Sequence, residues 1–125
     1  MNENEKAITE VAENDVKILD EDDVLHLVKP IKGKDGNDID SLVFDFDKIN
    51  GRVLLLCAKA AKQEEPDMLI PNLSMTFQAI VGAKAAGIRY DDVLGLAGPD
   101  FIAVTQRASR FLNNVGKSKI SDSLQ

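Results

Sequence analysis

The chain has 125 residues, enough for one domain with a true core and too few for two ordinary ones. Fifteen basic against twenty-one acidic residues give a formal net charge of −6, which argues against duplex nucleic acid or an anionic membrane surface as the main partner, since both demand a basic footprint. The single cysteine, Cys57, cannot close an internal disulfide, and it lies in an apolar run where a thiol packs as a small hydrophobe.

The acidic excess is concentrated at the start. Residues 1–23 hold nine acidic side chains and two lysines, net −7, which leaves residues 24–125 at +1. Ile8, Val11, Val16, Ile18 and Leu19 are too few to offset the cost of ordering this backbone, so 1–23 reads as an acidic, disordered arm. Its Val16–Leu19 stretch could add a short strand to a sheet edge, or the arm could fold onto a partner.

The pattern changes at Val24. Val24-Leu25-His26-Leu27-Val28 is rich in strand formers, and Gly33-Lys34-Asp35-Gly36-Asn37 supplies the residues of a tight reversal. From Ile39 to Phe46 the alternation resumes, with Leu42, Phe44 and Phe46 on one face and Ser41, Val43 and Asp45 on the other. The spacing predicts a β-hairpin over 24–46. Pro30 has no amide donor, so the first strand is expected to lie at an edge or to be interrupted there.

Helical spacing takes over in the second half. Asp47 or Asn50 can cap a helix over about 50–63, and Pro66 lies just past its end. Within it Val53, Leu54, Leu55, Leu56, Cys57, Ala58, Ala60 and Ala61 leave only Arg52, Lys59 and Lys62 as a wet stripe. Such a helix is either central to the core or partly covered by another chain. A second helix, over about 73–86, places Leu73, Phe77, Ile80 and Val81 on one stripe among Ala79, Gly82, Ala83, Ala85 and Ala86, small residues that permit close approach, with Gly87 as its stop. Tyr90-Asp91-Asp92-Val93-Leu94 reads as a short connecting helix. Pro99 then opens a third main helix over about 99–113, with Phe101, Val104, Ala108, Phe111 and Leu112 along one face. No such pattern continues beyond Asn113, and 115–125 is expected to be a flexible tail. The predicted fold class is α+β, mainly α: an N-terminal β-hairpin, three main helices and a short connecting helix, in one domain over 24–114.

Reactive groups are sparse. His26, the sole histidine, has no second histidine or nearby cysteine, so neither a zinc spacing nor a Ser/His/Asp arrangement can be assembled around it. Gly33-Lys34-Asp35-Gly36 lacks the glycine and Lys-Ser/Thr spacing of a phosphate loop. Asp35, Asp38 and Asp40 alternate like calcium ligands but lack the distal bidentate acid, and Phe44 and Phe46 stand where the loop should close. Asp91 and Asp92 suit the start of a helix, although with Tyr90 they could in principle form a general acid/base group. No catalytic residue, cofactor or metal site is therefore expected. There is no run long enough to span a membrane and no secretory signal pattern, so a soluble intracellular protein is predicted.

The order of segments is more informative than any one of them. Lys29-Pro30-Ile31 before Asp35-Gly36, the strand Leu42 to Asp47, Asn50-Gly51-Arg52 at a helix start, the alanine-rich Ala79 to Gly87, Asp91 to Leu94, and the Phe-anchored helix Asp100 to Leu112 follow in sequence. This order, over about residues 25–114, resembles the tail assembly chaperones of long-tailed phages and prophages. The acidic arm is a departure from that pattern and takes no role from it.

The resemblance implies a non-enzymatic protein of the bacterial host cytoplasm, left out of the mature virion, that binds the long helical tape-measure protein and keeps it soluble until tube subunits assemble around it. It also implies a longer frameshifted version as a further partner, while the small residues of Ala79 to Ala86 would allow close packing within the subunit or between subunits, so that the chain itself is another. A holdase needs exposed apolar helix faces, and the sequence offers Val53, Leu54, Leu55 and Leu56 as the candidate partner-binding residues. The alternative is a minor structural or tail-completion protein of the virion.

Overall fold

A computed structural model describes the backbone of residues 23–124, and the side chains as far as Asn113. The acidic arm read over 1–23 lies, except for Asp23, outside the described residues, as do the side chains of the C-terminal tail.

The fold is α+β, with one antiparallel hairpin followed by helices. Strands β1 (Val24–Lys32) and β2 (Asp38–Val43) pair Val24 with Val43 and Lys32 with Asp38. The reversal between them is closed by hydrogen bonds from the Gly33 amide to the Asn37 carbonyl (2.8 Å) and from the Gly36 amide to the Gly33 carbonyl (3.0 Å). Gly36 takes φ 84°, which a side chain would resist, and the Asp35 carboxylate accepts from the Asn37 amide at 3.1 Å, an Asx turn.

The ladder shifts register between His26 and Ile31, the stretch that contains Pro30. There the chain turns to a distant partner. Asp100 is 2% exposed, and its carboxylate accepts from the Val28 amide at 3.0 and 3.1 Å and from the Lys29 amide at 3.3 Å. A buried carboxylate is tolerated because charge-assisted bonds from backbone amides replace its water.

Helices α1 (Gly51–Glu64), α2 (Met75–Ala86), α3 (Tyr90–Leu94) and α4 (Gly98–Leu124) follow. Three boundaries differ from the sequence expectation. The second strand ends at Val43 instead of Phe46, because the Asp45 amide leaves the hairpin to bond the Ala85 carbonyl at 2.9 Å and Phe46–Lys48 tighten into a 3-10 turn. The second helix starts at Met75 instead of residue 73. Pro71–Leu73 form their own 3-10 turn, and Ser74 is the true cap, its hydroxyl accepting from the Phe77 amide at 3.2 Å. The last helix continues to Leu124 instead of ending near Asn113. Propagation needs one further bond per residue and does not require an apolar stripe, and no proline interrupts residues 114–124.

Where the caps were foreseen, the chemistry is visible. Asn50 Oδ1 accepts from the Val53 amide at 3.0 Å at the head of α1. Gly87, at φ 74°, ends α2 with the Ile88 amide returning to the Ala83 carbonyl at 3.0 Å.

The core has two lobes that share α2. One lies under the hairpin and joins Leu25, Leu27, Leu42 and Phe44 to Ala83, Val93 and Val104; the other sits between α1, α2 and the middle of α4, around Cys57, Ala61, Phe77, Val81 and Ala108. Phe46 and Phe111 touch both lobes, stacked 4.9 Å apart, and Phe46 also stacks on Phe44 at 5.7 Å. Above them the Arg107 guanidinium sits 5.8 Å from the Phe44 ring and donates to the Val24 carbonyl at 3.3 Å. At Gly82 the α2 backbone comes so close to α4 that a Cβ there would stand 2.6 Å from Val104 Cγ1.

Candidate partner-binding surface

The four consecutive apolar residues of α1 do not act alike. An α-helix turns 100° per residue, so four in a row must face all sides. Val53 and Leu54 are half-buried and pack against both lobes of the core, together with the wholly buried Cys57 and Ala61. Leu55 and Leu56 point away, 74% and 58% exposed. Of the predicted partner-binding residues, these two are therefore the ones a second polypeptide can reach.

Around them the outward surface of α1 is cationic. Arg52, Lys59 and Lys62 share it with the leucines, and no acidic residue occurs between Gly51 and Lys62. Lys62 donates to the Met68 carbonyl at 3.0 Å. Among the described residues Arg52 and Lys59 have no ion-pair partner.

A second exposed apolar group, which the sequence reading missed, lies on the α1–α2 connection and the first residue of α2: Leu69 (89% exposed), Ile70, Leu73 and Met75. Leu73 was assigned to the buried stripe of a helix. With the helix beginning later, it belongs to a 3-10 turn and faces out. The signal available in the sequence was Pro71 followed by Ser74, a turn and then a cap. This connection is held in place by Ser74 Oγ donating to Glu65 Oε1 at 2.7 Å and by Gln78 Nε2 donating to the Asn72 carbonyl at 2.8 Å.

Asp92 takes a two-point contact from Arg89, Nε at 3.2 Å and Nη2 at 2.8 Å, and also accepts from the Arg89 amide at 3.1 Å. The Arg89 side chain holds the Asp92 carboxyl below the usual carboxylate range, the opposite direction from a general acid. Burial pushes the Tyr90 hydroxyl up, with a hydrogen bond to Thr76 opposing it, while Asp91 remains exposed. A shallow cleft of about 350 Å³ separates the hairpin turn from the α2–α3 connection, lined by Lys34, Asp35, Asp38, Arg89 and Asp92 among others. The Asn37 amide holds the Asp35 carboxyl low, and Asp38 pairs with Lys32 at 2.8 Å, so these charges are satisfied within the fold.

His26 is exposed on β1 opposite Ser41. Burial pushes the Cys57 thiol up, which suppresses the thiolate. Among the described residues no cluster of three or more His, Cys, Asp or Glu side chains could hold a metal ion, and no helix is long and apolar enough to cross a membrane. Scans against protein-family models, curated proteins and solved structures each returned no match.

Proposed function

We propose that this protein is a non-enzymatic tail assembly chaperone that covers the apolar stripe of a phage tape-measure protein and keeps it soluble in the host cytoplasm. The observation that carries the reading is the outward pair Leu55 and Leu56 on a capped helix, since adjacent large aliphatic side chains exposed there offer apolar area that a client's own apolar stripe would cover. The choice of client rests on the order of segments that resembles this chaperone family. Mechanistically, a client helix with apolar residues at three- and four-residue spacing would lay that stripe along α1, and Leu69, Ile70 and Leu73 offer further apolar area on the next connection.

Co-expression tests the reading. A tape-measure fragment that is insoluble alone is expected to become soluble several-fold more often beside this protein. The double variant Leu55→Ser/Leu56→Ser is expected to lose that effect while keeping the urea midpoint of the parent. A client that stays equally insoluble overturns the proposal, and stoichiometric recovery of the protein from purified mature tails favours a virion subunit instead.

A further inference from the structure

The outward surface of α1 carries two leucines among three cations, while the same chain holds a strongly acidic segment with aliphatic residues of its own. We infer that residues 11–20 dock on that surface, placing Val11, Val16, Ile18 and Leu19 against Leu55 and Leu56 and bringing Glu13, Asp15 and Asp20 to Arg52 and Lys59.

Three observations converge on this occupant. The first is charge: residues 1–23 carry net −7, the rest of the chain +1, and α1 has no acid before Glu64 to answer its cations. The second is the state of those cations, since Arg52 and Lys59 lack ion-pair partners among the described residues even though acidic residues outnumber basic ones in the chain.

The third is reach. The Asp23 carbonyl accepts from the Phe44 amide at 2.7 Å, and Phe44 stacks on Phe46, a few residues before α1 begins. From that root an extended chain of the twelve residues back to Val11 reaches about 40 Å, whereas α1 itself is only about 21 Å long. The part of the segment nearest Val11 therefore has length enough to run along α1, while Asp20, three residues from Asp23, extends about 10 Å and serves only the part of the surface nearest that root. Opposite charge steers the encounter, and the aliphatic contacts give it register.

The inference concerns the protein without any client: it uses the face that the chaperone reading gives to the client, which would then displace the segment, and it is tested on the free chain, where no client enters the outcome. The test uses the full-length chain with Cys57→Ala, a nitroxide label attached through Asn14→Cys, and methyl-labelled leucine observed by NMR. Attenuation at the Leu55 and Leu56 methyls is expected to exceed that at Leu94 several-fold. It should collapse in 1 M NaCl, where the screening length is about 3 Å, and in the exposed charge-reversal variant Arg52→Glu/Lys59→Glu. Attenuation at Leu55 and Leu56 no greater than at Leu94 overturns the inference, as does attenuation that survives either treatment. A nitroxide-labelled chain mixed with a separately methyl-labelled one gives the last arm: an effect of equal size there assigns the contact to a second copy and also overturns it.

Discussion

Helices α1 and α2 are both apolar along most of their length, yet they end in different environments. In α2, Phe77, Ala79, Ile80, Val81, Gly82, Ala83 and Ala85 are all buried; in α1 only Cys57 and Ala61 are. The difference lies in side-chain size and in the number of neighbours. Small residues let α2 take α1, α3, α4 and the hairpin around it, whereas α1 leans chiefly on α2 and leaves its larger side chains facing outward. Apolar content alone does not measure burial: alanine and glycine make a central helix, and consecutive leucines exceed what one flank can hide.

The largest effect that would sharpen this contrast comes from truncating a large apolar side chain on each helix. Phe77→Ala, at a buried site of α2, is expected to cost about 4 kcal/mol, while Leu55→Ala on α1 should stay within about 0.5 kcal/mol. Urea unfolding with a common slope measures both, and a loss at Leu55 comparable to that at Phe77 would break the comparison.

A smaller effect is expected where α2 meets α4. Alanine at Gly82 should gain up to about 1 kcal/mol of helix propensity, but its Cβ would press on Val104 Cγ1, which belongs to a wholly buried β-branched side chain with little room to yield. Overpacking of this kind costs about 1–3 kcal/mol. Gly82→Ala should therefore be a net loss, seen as a lower urea midpoint, whereas a higher midpoint would mean the helices can part without penalty.

The smallest expected effect concerns the exposed Arg89–Asp92 contact. Because the folded state holds the Asp92 carboxyl below its ordinary value, the stabilisation is complete above the unfolded value of about 3.9 and fades as pH falls through the lower folded one. Asp92→Asn should lower the thermal midpoint slightly at neutral pH, with the gap to the parent closing below about pH 4. A gap that widens in acid would reverse the sign.

Much of the architecture was legible from local signals. Alternation at Leu42 and Phe44, the Asp35–Asn37 reversal, the Asn50 cap and the stop at Gly87 are short-range patterns, and short-range physics decides them. The boundaries that moved were decided at longer range: the departure of Asp45 toward Ala85 cannot be read from residues near 45. The candidate surface was half legible. A run of four large apolar residues announces a helix that one flank cannot hide, but which two face outward depends on the phase set by Cys57 and Ala61 against α2. No local pattern singles out Leu69 and Ile70, and their exposure is a tertiary outcome. Asp100 was read only as part of a helix start, since the amides it serves lie 72 and 71 residues earlier.

That carboxylate has a consequence for how the protein behaves in a crowded assembly. A two-stranded sheet presents open flanks on which a foreign strand could template itself, with unbounded growth as the hazard. Midway along β1 such a strand would find the Val28 and Lys29 N–H groups already taken by an acceptor with nothing to donate in return, and beside them Pro30, which has no N–H at all. On the β1 side, then, the hairpin's own carboxylate and proline stand in the way of an added strand.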